Sequence, residues 1–280
     1  MISSNFHIHS TFCDGKNSLD EMAKAAIRSR LKAIAFTSHN PLEGEEHWTL
    51  SQDKVETYLK EIQHLQKVYE KQIDIYSGLE VDYLFDSGFN PLAKPYLKRL
   101  DCWIGSVHAL ARWENGKYWF VDEDEKNFHE GIQHFFSGEA RKAVQRYYEI
   151  QMEMVEAGGL SFIGHMDLIK KNNRNHQYFC ETDLWYRDLV EVFLKTVKRK
   201  DAIVEINTGG VRRYGKECFY PSVWILERIR DLEIRWTING DSHDTGGIAY
   251  YFEETEALLR NKGMNGYWSF ESGKWIQKKF

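Results

Sequence analysis

The sequence predicts an α/β protein in which seven parallel strands close into a (β/α) barrel similar to a TIM barrel. Apolar segments of strand length alternate with segments of helix length along the 280 residues, as in a parallel sheet. No linker rich in Pro, Gly or Ser interrupts them, so we expect one domain over residues 1–280. A closed barrel leaves no edge strand. An open doubly wound sheet is the alternative, but FHIHSTFCDG lacks the glycine pattern of its first phosphate-binding turn.

The first half of the chain contains clear helix and strand signals. Ser18 and Glu21 have the spacing of a capping box, followed by apolar residues at helical spacing. KAIAFTSHN is an apolar run with a polar end, typical of a buried parallel strand. We predict, in order, a first strand that ends at His7 and His9, a helix over 18–30, a strand over 32–40, a helix over 53–71, a strand from 73, a helix over 91–99 and a strand from 101.

The second half begins with an insertion. Residues 112–138 are acidic, aromatic and without clear periodicity, and we expect them to lie over one rim of the barrel. Gly158 and Gly159 mark the end of the next helix. We predict helices over 139–157, 183–200, 222–231 and 253–262, strands over 160–167, 202–210 and 233–243, and a terminal hairpin over 266–280.

Charge and cysteine content limit the partners and the compartment. The formal charge of −5 and the pI near 6.1 disfavour binding to nucleic acid. No apolar run approaches the roughly 20 residues that span a bilayer, and four cysteines without paired spacing favour a reduced, cytoplasmic protein. We expect a small-molecule substrate, no nucleic acid and no membrane, and either a monomer or a homodimer.

Residues that can bind metals lie at the ends of nearly all the predicted strands. One such histidine is usually a polar residue that meets solvent, but six of the eleven histidines occupy these positions. The carboxyl ends of parallel strands meet at one rim, so these side chains should converge. Imidazoles and carboxylates suit Zn²⁺, Mn²⁺ or Fe²⁺. Nine candidates predict two or three ions: His7, His9, Asp14, His39, Glu80, His108, His165, Asp241 and His243.

Seven ordered segments resemble the polymerase and histidinol phosphatase (PHP) family, and within it the free-standing phosphatases that act on histidinol phosphate. They cover nearly the whole chain: HIHSTFCDG, FTSHNP, GLEVDY, GSVHAL, IGHMDLIKK, EINTGGVRR and NGDSHD. The resemblance implies a distorted seven-stranded barrel of the PHP type with three metal ions. It also implies three ligand sets: His7, His9, Glu80 and Asp241 for the first ion, Glu80, His108 and His165 for the second, and His39 with His243 for the third, with Asp14 beside it or on a bound water.

The implied activity is hydrolysis of L-histidinol phosphate to L-histidinol and phosphate in histidine biosynthesis. Clustered divalent ions supply hydroxide at neutral pH and neutralise a phosphoryl group. The expected catalytic residues are Asp14, His243 and Arg212. Asp14, His243 or a metal-bound water can assist the leaving alkoxide. We expect phosphate to bind Arg212 in preference to Arg213, with Lys170 or Lys171 as a second possibility.

Two other functions remain open at this point. Related PHP domains act on nucleotides or oligonucleotide ends, and other members bind metal without catalysis. The filled ligand positions disfavour the second alternative. The aromatic insertion is expected to cover an imidazole or only to shield the barrel mouth; its candidate residues are Trp113, Tyr118, Trp119 and Phe120.

Overall fold

The computed structural model describes residues 1–280 and contains eight α-helices. Most lie within a few residues of the predicted bounds, and the capping box of Ser18 and Glu21 is present at the start of the first helix. The helices are α1 (Leu19–Arg28), α2 (Val55–Val68), α3 (Glu125–Phe136), α4 (Ala140–Ala157), α5 (Leu184–Arg199), α6 (Gly209–Tyr214), α7 (Val223–Asp231) and α8 (Phe252–Asn261). No helix is long and apolar enough to cross a bilayer.

Thirteen strands accompany the helices. They are β1 (Ser4–Asn5), β2 (Ala33–Phe36), β3 (Asp74–Ser77), β4 (Glu80–Leu84), β5 (Gly88–Phe89), β6 (Ile104–Ser106), β7 (Ala109–Arg112), β8 (Tyr118–Phe120), β9 (Phe162–Ile163), β10 (Ile203–Asn207), β11 (Arg235–Asn239), β12 (Gly266–Glu271) and β13 (Lys274–Lys279).

The central strands form two sheets that are largely parallel. One has the order β1-β2-β3, and the other has the order β11-β10-β9-β6-β4-β5, with β5 antiparallel to β4. Two isolated parallel bridges connect the sheets: Ile8, after β1, pairs with Ser242, after β11, and His39, after β2, pairs with Glu80, the first residue of β4. The α/β class is therefore confirmed. The hydrogen-bonded pairing of the strands, however, is not continuous around one closed barrel.

The strand predicted from Ile73 is broken into β3 and β4. Gly78 lies at the break, where a Cβ atom would be 2.7 Å from Cγ2 of Thr37 and 2.8 Å from the carbonyl oxygen of Cys102. Only glycine fits at such a close approach. The break changes the pairing partner of the chain, from β2 to β6, directly before Glu80.

The C-terminal hairpin of β12 and β13 confirms the last predicted element. Trp275 packs edge-on against Phe6 and Phe162, with ring centroids 5.6 and 5.8 Å away. These rings lie in a small apolar cluster that includes Ala33 and Ile203, the first residues of β2 and β10. The hairpin therefore covers the amino ends of the strands and leaves their carboxyl ends for the site.

Two predicted elements are wrong. Residues 91–99 form turns and a short 3₁₀ helix, Leu97–Arg99, in place of an α-helix, because Pro95 lacks the N–H that a helix interior requires. The insertion at 112–138 is regular, since it contains β8 and α3 and pairs with β7. Asp124 caps α3 by accepting a hydrogen bond from the main-chain N–H of Asn127 at 2.7 Å.

Candidate metal centre

The nine predicted metal ligands lie together at the carboxyl ends of the strands. His7 and His9 follow β1, His39 follows β2, and Asp241 with His243 follows β11. His7 and His9 are fully buried. The strand ends thus bring together residues that are up to 236 positions apart in the sequence, from His7 to His243.

Glu80 lies at the middle of this cluster and is 1% exposed. Its Oε1 is 2.8 Å from Nε2 of His165, and its Oε2 is 2.9 Å from Nδ1 of His39. Ser106 also donates a hydrogen bond to Oε1 at 2.8 Å. In total, five imidazoles place a ring nitrogen within 4.0 Å of this carboxylate: those of His7, His9, His39, His108 and His165.

Three groups have ligand atoms close enough to hold a metal ion, all within 4.8 Å of one another. They are His7 with His9 and Asp241; His7 with Glu80 and His165; and His9 with Asp14, His39 and His243. The groups are similar to the three ligand sets that the family resemblance implies, with His7 and His9 each shared between two groups. His108 is outside these groups, although its Nε2 is 3.6 Å from Oε1 of Glu80.

The residues present fit divalent ions. The Nε2 atoms of His7 and His9 are buried and have no hydrogen-bond partner, which is unusual for buried polar atoms. Both face Oδ1 of Asp241, at 3.8 and 3.4 Å. A divalent ion would satisfy these nitrogens and the carboxylate together. Cys13 is a poor candidate ligand because burial raises the pKa of its thiol to about 11.

The charges of the cluster are strongly coupled. Burial would lower the pKa of His7, but Glu205 and Glu80 raise it well above its usual value. Burial, together with the charges of His243 and His39, lowers the pKa of His9 to about 3. Burial would raise the pKa of Glu80, yet His39 and His7 hold it well below its usual range. Without ions, the cluster is therefore a balance of imidazolium and carboxylate charges.

Two buried carboxylates orient the histidines and were missed by the sequence analysis. Asp82 accepts a hydrogen bond from Nδ1 of His108 at 2.7 Å, and Glu205 accepts one from Nδ1 of His7 at 2.8 Å. Carboxylates commonly orient metal-binding histidines in this way. The sequence carries a signal for each of them. Glu205 is a charged residue inside the apolar strand AIVEIN, and Asp82 lies two residues after Glu80, on the same face of β4.

The two arginines of α6 have different surroundings. Arg213 lines the cavity above the cluster, with its guanidinium 3.3 Å from Oδ2 of Asp241 and 3.3 Å from Nδ1 of His243. Arg212 lies outside that cavity and pairs with Asp244. Successive residues of a helix point about 100° apart, so the two arginines leave α6 in different directions. The predicted preference for Arg212 at a phosphate site, and with it a catalytic role, is not supported by this position.

Lys170 also lies outside the lining of the cavity. Its side chain is 5% exposed, and its ammonium lies 3.1 Å from Oδ2 of Asp167 and 2.8 Å from the carbonyl oxygen of Phe219. Lys171 lines the cavity instead, with its ammonium 3.8 Å from Oδ2 of Asp122. The expectation that Lys170 binds phosphate therefore conflicts with its buried ion pair.

A cavity of about 680 Å³ opens from the cluster. The insertion forms one of its walls with Trp113, Tyr118 and Phe120, whereas Trp119 is buried behind them against Gly131. Trp48 forms another part of the wall and packs edge-on against His39. The cavity has the size of a small-molecule site.

The parallel α/β fold and this cluster define a protein with a polynuclear metal site at the carboxyl ends of its strands. The PHP domain model matches residues 5–209, and the chain belongs to the PHP family. The histidinol-phosphatase of Bacillus subtilis (strain 168) is 30% identical over 262 residues, which cover 88% of this chain and 96% of that protein.

Two solved structures share the fold. HisK from Listeria monocytogenes superposes with a TM-score of 0.79 and 24% identity, over 90% of this chain and 99% of that chain. Histidinol phosphate phosphatase (HISK) from Lactococcus lactis, complexed with Zn, L-histidinol and phosphate, has a TM-score of 0.73 and 20% identity, over 98% of both chains. The chain therefore has the α/β fold of these proteins.

Proposed function

We propose that this chain is a metal-dependent phosphatase that hydrolyses L-histidinol phosphate to L-histidinol and inorganic phosphate. The observation that carries the proposal is the convergence of five imidazoles on one buried carboxylate, Glu80, at the base of a cavity. The substrate follows from the similarity to the Bacillus subtilis histidinol-phosphatase, which extends over 88% of this chain.

The proposed cofactors are two or three divalent ions of Zn, Mn or Fe. Their ligands are His7, His9, His39, Glu80, His108, His165, Asp241 and His243, with Asp14 completing the group around His39. Ions bound there would supply hydroxide at neutral pH and neutralise charge on the phosphoryl group. Glu205 and Asp82 hold two of the ligating rings by their other nitrogen, which fixes the nitrogen that faces the ions.

Arg213 is the proposed phosphate-binding residue. Its guanidinium lies next to Asp241 and His243 and lines the cavity, so it can donate hydrogen bonds to phosphoryl oxygens. Asp14 and His243 would hold the water that gives its proton to the leaving alkoxide. Nε2 of His243 is 3.1 Å from Oδ2 of Asp14, and both residues line the cavity.

We also propose that residues 1–280 form one domain around a distorted seven-stranded barrel. The strands of the ring are β1, β2, the broken pair β3 and β4, then β6, β9, β10 and β11. The bridge between Ile8 and Ser242 and the bridge between His39 and Glu80 support this arrangement, because they join neighbouring strands of the two sheets.

Phosphate release from a panel of esters tests the function. The metal-loaded protein should hydrolyse L-histidinol phosphate at least ten times more efficiently than 3′ or 5′ nucleotides. Asp241→Asn should abolish this activity, whereas Asp231→Asn, a change at a surface ion pair with Arg230, should leave it unchanged. Preferential hydrolysis of nucleotides would reject the proposed substrate, and full activity in Asp241→Asn would reject the proposed site.

A further inference from the structure

The cavity contains a buried carboxylate that the proposed chemistry does not use. Glu45 lines the cavity and is 7% exposed. Its Oε2 accepts a hydrogen bond from Nε1 of Trp48 at 2.9 Å. This bond holds the carboxylate of Glu45 against Trp48. The ring of Trp48 also packs against His39, with ring centroids 4.9 Å apart. Glu45 is thus one side chain away from the cluster.

The charge of Glu45 has no strong cationic partner. No lysine or arginine nitrogen lies within 4.0 Å of its carboxylate, and the one histidine within this limit is His47, at 3.9 Å and with a side chain 75% exposed. Asp122, another acid of this cavity, has Lys171 beside it. A buried carboxylate without a cation is costly, and here it borders a space large enough for a ligand.

The wall next to Glu45 is aromatic. Trp48 contacts Phe120 edge-on, with ring centroids 5.2 Å apart, and both line the cavity. A carboxylate beside aromatic faces suits an organic cation, which gains both a charge pair and contact with the rings. An ester whose phosphate lies at the cluster and whose other end is cationic would meet both groups.

We infer that Glu45 is a specificity residue that binds the cationic end of the phosphate ester. This inference rests on the proposed function, because it takes the phosphoryl end of the substrate to lie at the metal ligands. The ligand class is an ester that carries an ammonium or imidazolium group. Phosphate esters without a cation would use the same metal cluster and gain nothing from Glu45.

The test compares substrates in wild type and Glu45→Gln. Glutamine keeps an oxygen that accepts the hydrogen bond of Trp48 but removes the charge. We expect kcat/KM for L-histidinol phosphate to fall by about 10- to 100-fold, mainly through KM, as for loss of a charged hydrogen bond. Hydrolysis of p-nitrophenyl phosphate, which has no cation, should change by less than about threefold. Glu46→Gln is the matched control, because Glu46 is adjacent in sequence but exposed and outside the cavity.

Two further esters identify the cation. An analogue of histidinol phosphate without the amine and one with phenyl in place of imidazole should separate the two groups, since the ester that lacks the cation bound by Glu45 will lose its sensitivity to Glu45→Gln. Glu45→Asp keeps the charge and should retain more of the preference than Glu45→Gln.

Equal losses for charged and uncharged esters in Glu45→Gln would show a structural role and overturn the inference, as would no loss for either ester. Failure of the proposed function gives a different result. In that case the wild type would hydrolyse p-nitrophenyl phosphate with metal but not histidinol phosphate.

Discussion

Oε1 of Glu205 lies 2.8 Å from Nδ1 of His7, on the side of the ring opposite the nitrogen that faces Glu80. An ionised carboxylate only accepts hydrogen bonds, so Nδ1 carries the proton and Nε2 is free to bind an ion. Glu205 also accepts a hydrogen bond from the main-chain N–H of His165 at 2.9 Å. One buried carboxylate therefore orients the ring of His7 and the main chain of His165.

Glu205→Gln should weaken metal binding while the fold is kept. An amide at this position is a poorer acceptor for His7, and changes at such carboxylates typically lower metal affinity about 10- to 100-fold. The measurement is metal content by elemental analysis after dialysis against a graded chelator. Asp101→Asn is the control, because Asp101 accepts hydrogen bonds from Ser77 away from the cavity. Unchanged metal retention in Glu205→Gln would contradict the assigned role.

Metal binding should release protons at pH 7. In the ion-free protein, burial opposes the charged forms of His7, His39 and His108, but nearby carboxylates raise the pKa of each, that of His108 to about 10. These rings are protonated below their raised pKa values and must lose the proton to bind an ion. Affinity should therefore rise with pH from 6 towards 10, with release of up to three protons per chain, one for each of these rings.

An indicator dye in weakly buffered solution measures these protons as ZnCl₂ is added. Asp82→Asn removes the main carboxylate that raises the pKa of His108, so this variant should release fewer protons than the wild type. Binding without any proton release would contradict the protonation of these rings in the ion-free protein or their role as ligands.

Arg213 and Arg212 should differ in their effect on catalysis. Arg213→Gln removes a guanidinium from the cavity and should lower kcat/KM for the phosphate ester by about 10- to 100-fold, as expected for a charge-assisted hydrogen bond. Arg212→Gln breaks a pair with Asp244 outside the cavity and should have an effect below about threefold. Steady-state kinetics distinguishes the two variants, and the reverse order of effects would return the phosphate site to Arg212.

Gly131→Ala should destabilise the protein. A Cβ atom on Gly131 would lie 1.9 Å from Cε2 of Trp119, a fully buried ring. Relief of this clash requires a shift of α3 or of the tryptophan, at a cost of about 1–3 kcal/mol in the free energy of unfolding. Urea denaturation measures the loss. Gln133→Ala, in the same helix but exposed, should change stability by no more than about 0.5 kcal/mol. Equal stability of Gly131→Ala and wild type would place Trp119 elsewhere.

The predicted metal cluster and the missed residues differ in how strongly the sequence constrains them. His39 and His108 end apolar strands, and parallel strands bring their carboxyl ends together, so their convergence follows from periodicity and topology. Glu205 lies inside an apolar strand, where its role depends on the contact with His7 across the sheet. A charge inside an apolar strand marks Glu205 as unusual, but the sequence does not show which residue it contacts.

Two further differences between prediction and structure concern α6 and the insertion. Whether Arg212 or Arg213 faces the cavity depends on the orientation of α6, a helix that the sequence analysis did not predict. The insertion did carry a helix signal, since Phe128 and Ile132 are four residues apart after the cap at Asp124. Its high charge and aromatic content obscured that signal.

The most direct test of the metal-dependent phosphatase is a titration of ion-free protein with Zn²⁺ or Mn²⁺ while phosphate release from L-histidinol phosphate is measured. We predict no turnover without metal, and activity that rises until two or three ions are bound per chain and is lost again on chelation. Full activity in the ion-free protein, or no hydrolysis of this ester at any metal loading, would contradict the account.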